Sequence, residues 1–254
     1  MHKTIWASTF AIAAFAFGSE AHAQAALHDG NNLRAGDNMI YPELGWPELV
    51  FGFQHGVSNS VDVGIRASLI YGWDYTTLTT LGLGVRVPIR IQALRREKVS
   101  VQITIGPGLK FDDFSGSAAC IRADPLTGVC LAEGAVPSGY NAYVGYGLHF
   151  GPQLDLGVDI GIHLTREMTI TPGFEMPIFI NLTNGSYATI PLLFGANFQY
   201  DINDRMSVGG GLKLGATIIA GGNNYGCGAL LGGFGCGVPA PLAVNTYAFF
   251  GYKL

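Results

Sequence analysis

The chain has 254 residues, of which 48% are hydrophobic and only 13% charged, with 37 glycines and a net charge of −4. Nothing in this balance would grip a phosphate backbone, which argues against nucleic acid as a partner. Past the N-terminal region no run reaches the 18 or so apolar residues of a membrane-crossing helix. Few charges, many glycines and no helix-period segment predict an all-β protein in an unusual solvent.

The first 23 residues read as a secretory signal peptide: Lys3, an apolar run from Ile5 to Phe17, and Ala21-His22-Ala23 as an A-x-A cleavage pattern. Cleavage would leave Gln24 first, and residues 24–254 are expected to form one domain. The first strand candidate is NMIYPELGW (38–46), with Ile40, Pro42, Leu44 and Trp46 on one face. VDVGIRASLIY (61–71) and LGLGVRVPIRIQA (81–93) alternate strictly, with Arg66, Arg86 and Arg90 on the polar side. VSVQITIGPGLKF (99–111) repeats the pattern, and from 142 to 164 every even position is apolar. Residues 168–182, 188–202 and 206–220 keep the even-apolar phase, and TYAFFGYKL closes the chain.

Val57-SNS-Val61, Leu164-TRE-Met168, Ile202-NDR-Met206 and a turn at or beside Leu94-RRE-Lys98 are short. Three-residue hairpin loops preserve side-chain phase, and the phase is preserved across them. The connections near 72–80, 113–139, 182–187 and 221–243 are longer. Four short turns imply eight strands, and the terminal strand and the 38–46 strand bring the count to ten, with eight or twelve as alternatives. Pro88, Pro107, Pro172, Pro177 and Pro191 fall inside these strands, where bulges or weak edges are expected. A soluble sandwich of this size would wet its polar faces with Lys and Glu. Here those faces carry Gly, Ser, Thr, Asn, Gln and sparse charges, which suits a crowded lumen with the apolar face on lipid. A closed antiparallel transmembrane β-barrel leaves no strand edge unpaired in lipid.

Cys120, Cys130, Cys227 and Cys236 fall as two close pairs in Gly-rich segments without metal-site spacing. Loop disulfides are expected in an exported chain. Three connectivities are open, of which 120–130 with 227–236 closes the shortest loops. The glycines of 221–237 do not follow a strand-to-helix pattern, so they are read as an external loop rather than a phosphate cradle.

The short turns gauge depth. Arg66, Arg86, Arg90, Asp155, Asp159, Glu175 and Lys213 all face inward within one belt, with Glu175 opposite Gly157 and diagonal to Asp155 and Asp159. The three arginines are expected to face the three carboxylates as a salt-bridged filling of a narrow barrel. A line of selectivity charges or a carboxylate acid–base pair are the alternatives. His149 and Lys110, with Asp112 and Asp113, are expected near the outer mouth. His163 and Asp62 are read as solvated rim residues. Tyr71, Trp73, Tyr75, Phe111, Phe114, Tyr140, Tyr143 and Tyr146 gather toward the outer end, where lipid-facing aromatics form a girdle.

On the signal peptide, the alternating strands from about 38 to 254, the turn asymmetry and the C-terminal strand, the chain resembles bacterial outer-membrane β-barrel proteins. Phe250, Tyr252 and Leu254 are similar to the terminal pattern read by the barrel-insertion machinery, although the family pattern commonly ends in Phe. The resemblance implies the outer membrane as location and its lipid and that machinery as partners. The expected role is structural or interactive through external loops, with the external partner unidentified. A narrow pore for small solutes or a mouth-sited hydrolase are the alternatives. No catalytic residue, metal or cofactor is assigned.

Overall fold

The computed structural model describes residues 27–73, 76–113, 148–183, 187–221 and 242–254. Every regular element among them is a strand. In chain order they are β1 (Asn38–Trp46), β2 (Glu48–Ser58), β3 (Val61–Trp73), β4 (Thr76–Arg86), β5 (Ile89–Arg95), β6 (Val99–Asp113), β7 (Leu148–His163), β8 (Met168–Asn181), β9 (Tyr187–Asn203), β10 (Met206–Gly221) and β11 (Leu242–Lys253). All pairings are antiparallel; β4 and β5 each pair with both β3 and β6, the other pairings join sequence neighbours, and β1 also pairs with β11, so the sheet closes on itself.

β4 and β5 form one wall strand interrupted at Val87-Pro88. Both pair with β3 and β6, and the register runs unchanged across the break. The barrel therefore has ten wall positions, the expected number. The interruption has a simple cause. Pro88 and Pro107 sit on facing strands and neither can donate to the ladder. The exchange is kept by Val87 N–H donating to Pro107 O at 2.8 Å and Gly64 N–H to Pro88 O at 2.9 Å.

Pro177 likewise lies opposite Pro191, and the β8–β9 ladder skips from Glu175–Leu193 to Phe179–Thr189 in constant register. Of the bulges or weak edges expected at these prolines, bulges are absent: the ladder loses bonds there without inserting a residue. Register shifts occur instead between Gly56 and Ser58, Ile70 and Trp73, Gln92 and Leu94, and Met206 and Ser207. Three of the four flank the short turns. They are the one-residue adjustments by which a short hairpin keeps its side-chain phase.

The four short turns and both ends of the described chain share one end of the barrel. The opposite end carries the remaining connections. One of these is shorter than expected, since only residues 74 and 75 separate β3 from β4, and Pro47 alone joins β1 to β2. The proposed strand residues 142–147 and all four cysteines lie outside the described residues.

Burial is inverted relative to a water-soluble domain. Among the described residues, twenty-three polar or charged residues are buried against eleven apolar ones, while Phe51, Leu83, Leu109 and Phe194 are each more than half exposed. The interior also holds a small apolar cluster of Leu27, Leu33, Met39, Tyr41, Val50 and Phe249. Two of its members come from the segment before β1.

Candidate functional site: the charged lumen

The inward residues of β1, β2, β3, β4 and β7 meet at mid-height. Arg66 on β3 donates to Glu43 on β1 at 2.6 Å and reaches Glu48 on β2 at 3.4 Å. Arg86 on β4 donates to Glu48 and, at 3.0 Å, to Asp155 on β7. Asp155 also accepts from Gln153 at 2.8 Å. Glu43 is 2% exposed and Arg86 6%. Charges this dry are tolerated only because each carboxylate finds a cation.

On the other wall Lys213 of β10, fully buried, donates to Glu175 of β8 and lies 3.8 Å from Asp159 of β7. Glu175 faces Gly157 in the β7–β8 ladder. Lower down, Arg90 clamps Asp62 with Nε–Oδ1 at 2.7 Å and Nη2–Oδ2 at 3.0 Å, the bidentate geometry a guanidinium favours.

All seven belt residues thus face the lumen, but the partners differ from the expected ones. Of the three arginines only Arg86 meets one of the three expected carboxylates. Arg66 is satisfied by Glu43 and Glu48, Arg90 by Asp62, and Lys213 serves Asp159 and Glu175. Glu43 and Glu48 were not assigned from the sequence. The signal was available, since Glu43 sits out of phase with the outward Ile40, Leu44 and Trp46.

Asp62 and His163 are corrected outright. Asp62 is fully buried, and His163 is bonded to Ser100 at 3.1 Å and Thr169 at 3.0 Å rather than left to solvent. The physical reason is the segment Leu27–Leu33, which enters the short-turn end and covers that rim from within.

This inserted segment is tied to the wall through both backbone and side chains. Ser100 donates to Asp29 O at 3.1 Å, Gln92 to Gly30 O at 2.9 Å, Gln102 to Asn31 O at 2.8 Å and Arg90 to Leu27 O at 2.7 Å. In return Asn32 N–H donates to Gln92 at 2.8 Å and Leu33 N–H to Asp62 at 3.1 Å. His28 reaches furthest in. Its Nε2 lies 3.0 Å from Glu43, and its ring packs 4.8 Å from Phe249 and 5.1 Å from Tyr247.

The seat depends on two glycines. Gly30 has φ of +75°, the left-handed region that favours glycine, and a Cβ on Gly161 would collide with the Asp29 carbonyl. Above the segment a cavity of about 120 Å³ remains, lined among others by His28, Glu48, Arg66, Arg86, Asp155 and Glu175. Its lining is mostly polar and charged, which suits ordered water.

Toward the opposite end, His149 and Asp112 face each other across the β6–β7 ladder and both are fully buried. His149 Nδ1 lies 3.0 Å from Asp112, whose other oxygen is 3.2 Å from Lys110 Nζ. Tyr187 stands edge-on to the histidine ring with its hydroxyl 3.3 Å away. Lys110 also lies over the Phe179 ring at 5.2 Å. Expected girdle aromatics are described only at Tyr71, which packs edge-on against Trp46, and at the exposed Phe111. Tyr75, Phe114, Tyr140, Tyr143, Tyr146, and the side chains of Trp73 and Asp113, lie outside the described residues.

No group of three or more His, Cys, Asp or Glu side chains suited to a metal ion occurs among the described residues. No protein-family model matches the chain, and no curated protein matches it.

Proposed function

We propose that this chain spans the bacterial outer membrane as a closed, non-conducting barrel, with a structural or interactive role exercised through the connections at the long-connection end. The observation that carries the reading is the inverted burial. A wall that exposes its leucines, isoleucines and phenylalanines and buries its arginines, aspartates and glutamines is stable only where the outside solvent is apolar. The lumen supports closure twice over, through the ion pairs at mid-height and the inserted Leu27–Leu33 segment at the short-turn end. Disulfides 120–130 and 227–236 pinning two of the connections remain part of this proposal.

The test is reconstitution of the purified chain. It should migrate as a heat-modifiable band from detergent and give no conductance steps in a planar bilayer. Discrete ion-selective steps would replace this reading with that of a narrow pore.

A second reading rests on the buried Asp112–His149 pair, an acid-oriented histidine of the kind used in general acid–base catalysis. It predicts hydrolysis of an ester-linked lipid or a peptide by the folded protein, abolished by His149→Ala. Absence of turnover on both substrate classes would remove it.

A further inference from the structure

We propose that the short-turn end is a docking surface for anionic phospholipid, binding the phosphate-bearing headgroups of the leaflet on that side; this rests on the membrane-spanning reading above. The observation is a segregation of charge along the barrel axis. Six exposed cations ring this end: Arg34, Arg95, Arg96, Lys98, Arg166 and Arg205. The exposed carboxylates among them are three, Glu97, Glu167 and Asp204. One of the three, Glu167, already accepts from the Thr165 hydroxyl at 3.0 Å. In sequence, the connections of the opposite end carry the reverse balance, Asp74, Asp124 and Glu133 against Arg122.

Position matters as much as number. Leu164 and Ile202, 54% and 50% exposed, close the outward apolar face, and Arg166 and Arg205 follow within three residues. The cations therefore stand where the apolar band ends, at the height of the headgroups rather than out in water. Arginine predominates, and its planar fork meets a phosphate with two parallel hydrogen bonds where an ammonium meets it as a point charge. Solubility alone would be served by either sign. It gives no reason to gather cations at one rim and carboxylates in the connections of the other.

The experiment uses the whole protein reconstituted in phosphatidylcholine bilayers containing trace spin-labelled phosphatidylcholine or spin-labelled phosphatidylglycerol. Electron paramagnetic resonance reads the motionally restricted lipid at the protein surface. The expected result is a preference for phosphatidylglycerol of between about twofold and fivefold at low salt; fivefold corresponds to about 1 kcal/mol, the worth of one cation near an anionic surface. The preference should fall toward unity at 1 M salt, where the screening length is about 3 Å. It should fall likewise in the Arg95→Gln/Arg96→Gln/Lys98→Gln/Arg205→Gln variant, which touches only exposed positions.

Equal restriction of both lipids at low salt would overturn the proposal and leave the membrane reading intact, as would a preference that neither salt nor the variant changes. Should the variant fail to fold, the salt series on the unaltered protein decides. If neither lipid shows a restricted component, the chain does not span the bilayer, and both readings fall.

Discussion

Arg86 concentrates the energetics of the lumen in one side chain. It joins Glu48 to Asp155 across the barrel while 6% exposed. Removing it leaves two half-buried carboxylates without their shared cation. Arg86→Ala is expected to cost about 3–5 kcal/mol in reversible unfolding from lipid vesicles. Arg205→Gln, at an exposed turn, should cost about 0–1 kcal/mol in the same measurement. The Arg86→Ala/Asp155→Ala double variant should lose less than the sum of its singles, because the two share one interaction.

Side-chain phase was enough to turn Arg86 and Asp155 inward at matching heights from the sequence. Phase cannot say which sectors of a closed wall face each other. That is why all three arginines were expected to face Asp155, Asp159 and Glu175, when Glu43, Glu48 and Asp62 stand nearer to Arg66 and Arg90. Asp62 was misread for a different reason: no periodicity marks a non-repeating segment such as Leu27–Leu33 as folded back into the lumen.

At the scale of the element, the strands were the most legible part of the chain. A strand exposed to apolar solvent on one face and packed in a polar lumen on the other has little freedom to break alternation. β1 was expected at 38–46 and is found there. The prolines were the exception. Their opposition in pairs across neighbouring strands, Pro88 beside Pro107 and Pro177 across from Pro191, is a property of register. At Pro177 and Pro191 the two missing donors fall in one gap of the β8–β9 ladder, whereas Pro88 is turned to Gly64 of β3 and Pro107 to Val87.

The inserted segment offers the sharpest test at this scale. Gly161→Val should push the Asp29 carbonyl away and unseat Leu27–Leu33 without altering the apolar face. The amides of Asn32 and Leu33 should then exchange with deuterium at least tenfold faster, while those of β8 and β9 keep their protection. Unchanged exchange at Asn32 and Leu33 would mean that the segment does not depend on this seat.

For the molecule as a whole, the decisive property is which solvent its outer face requires. A soluble domain buries its apolar side chains and spreads its charges outward. Here Lys213, Asp62 and Asp112 are fully buried while Leu83 is 60% exposed. The account predicts that the folded chain precipitates or aggregates when detergent is withdrawn, as sedimentation would show. A monodisperse monomer in plain buffer would contradict it.

The most direct measurement asks what touches the outer wall. Methyl-labelled protein in lipid nanodiscs can be exposed separately to a relaxation agent carried on lipid chains and to a water-soluble one. The methyl signals of Leu83, Ile105, Val158 and Ile218 should broaden with the lipid-borne agent and stay sharp with the aqueous one, while those of the inward Val50 should respond to neither. Broadening of Leu83 and Val158 by the aqueous agent, with none from the lipid-borne agent, would contradict the membrane-spanning barrel.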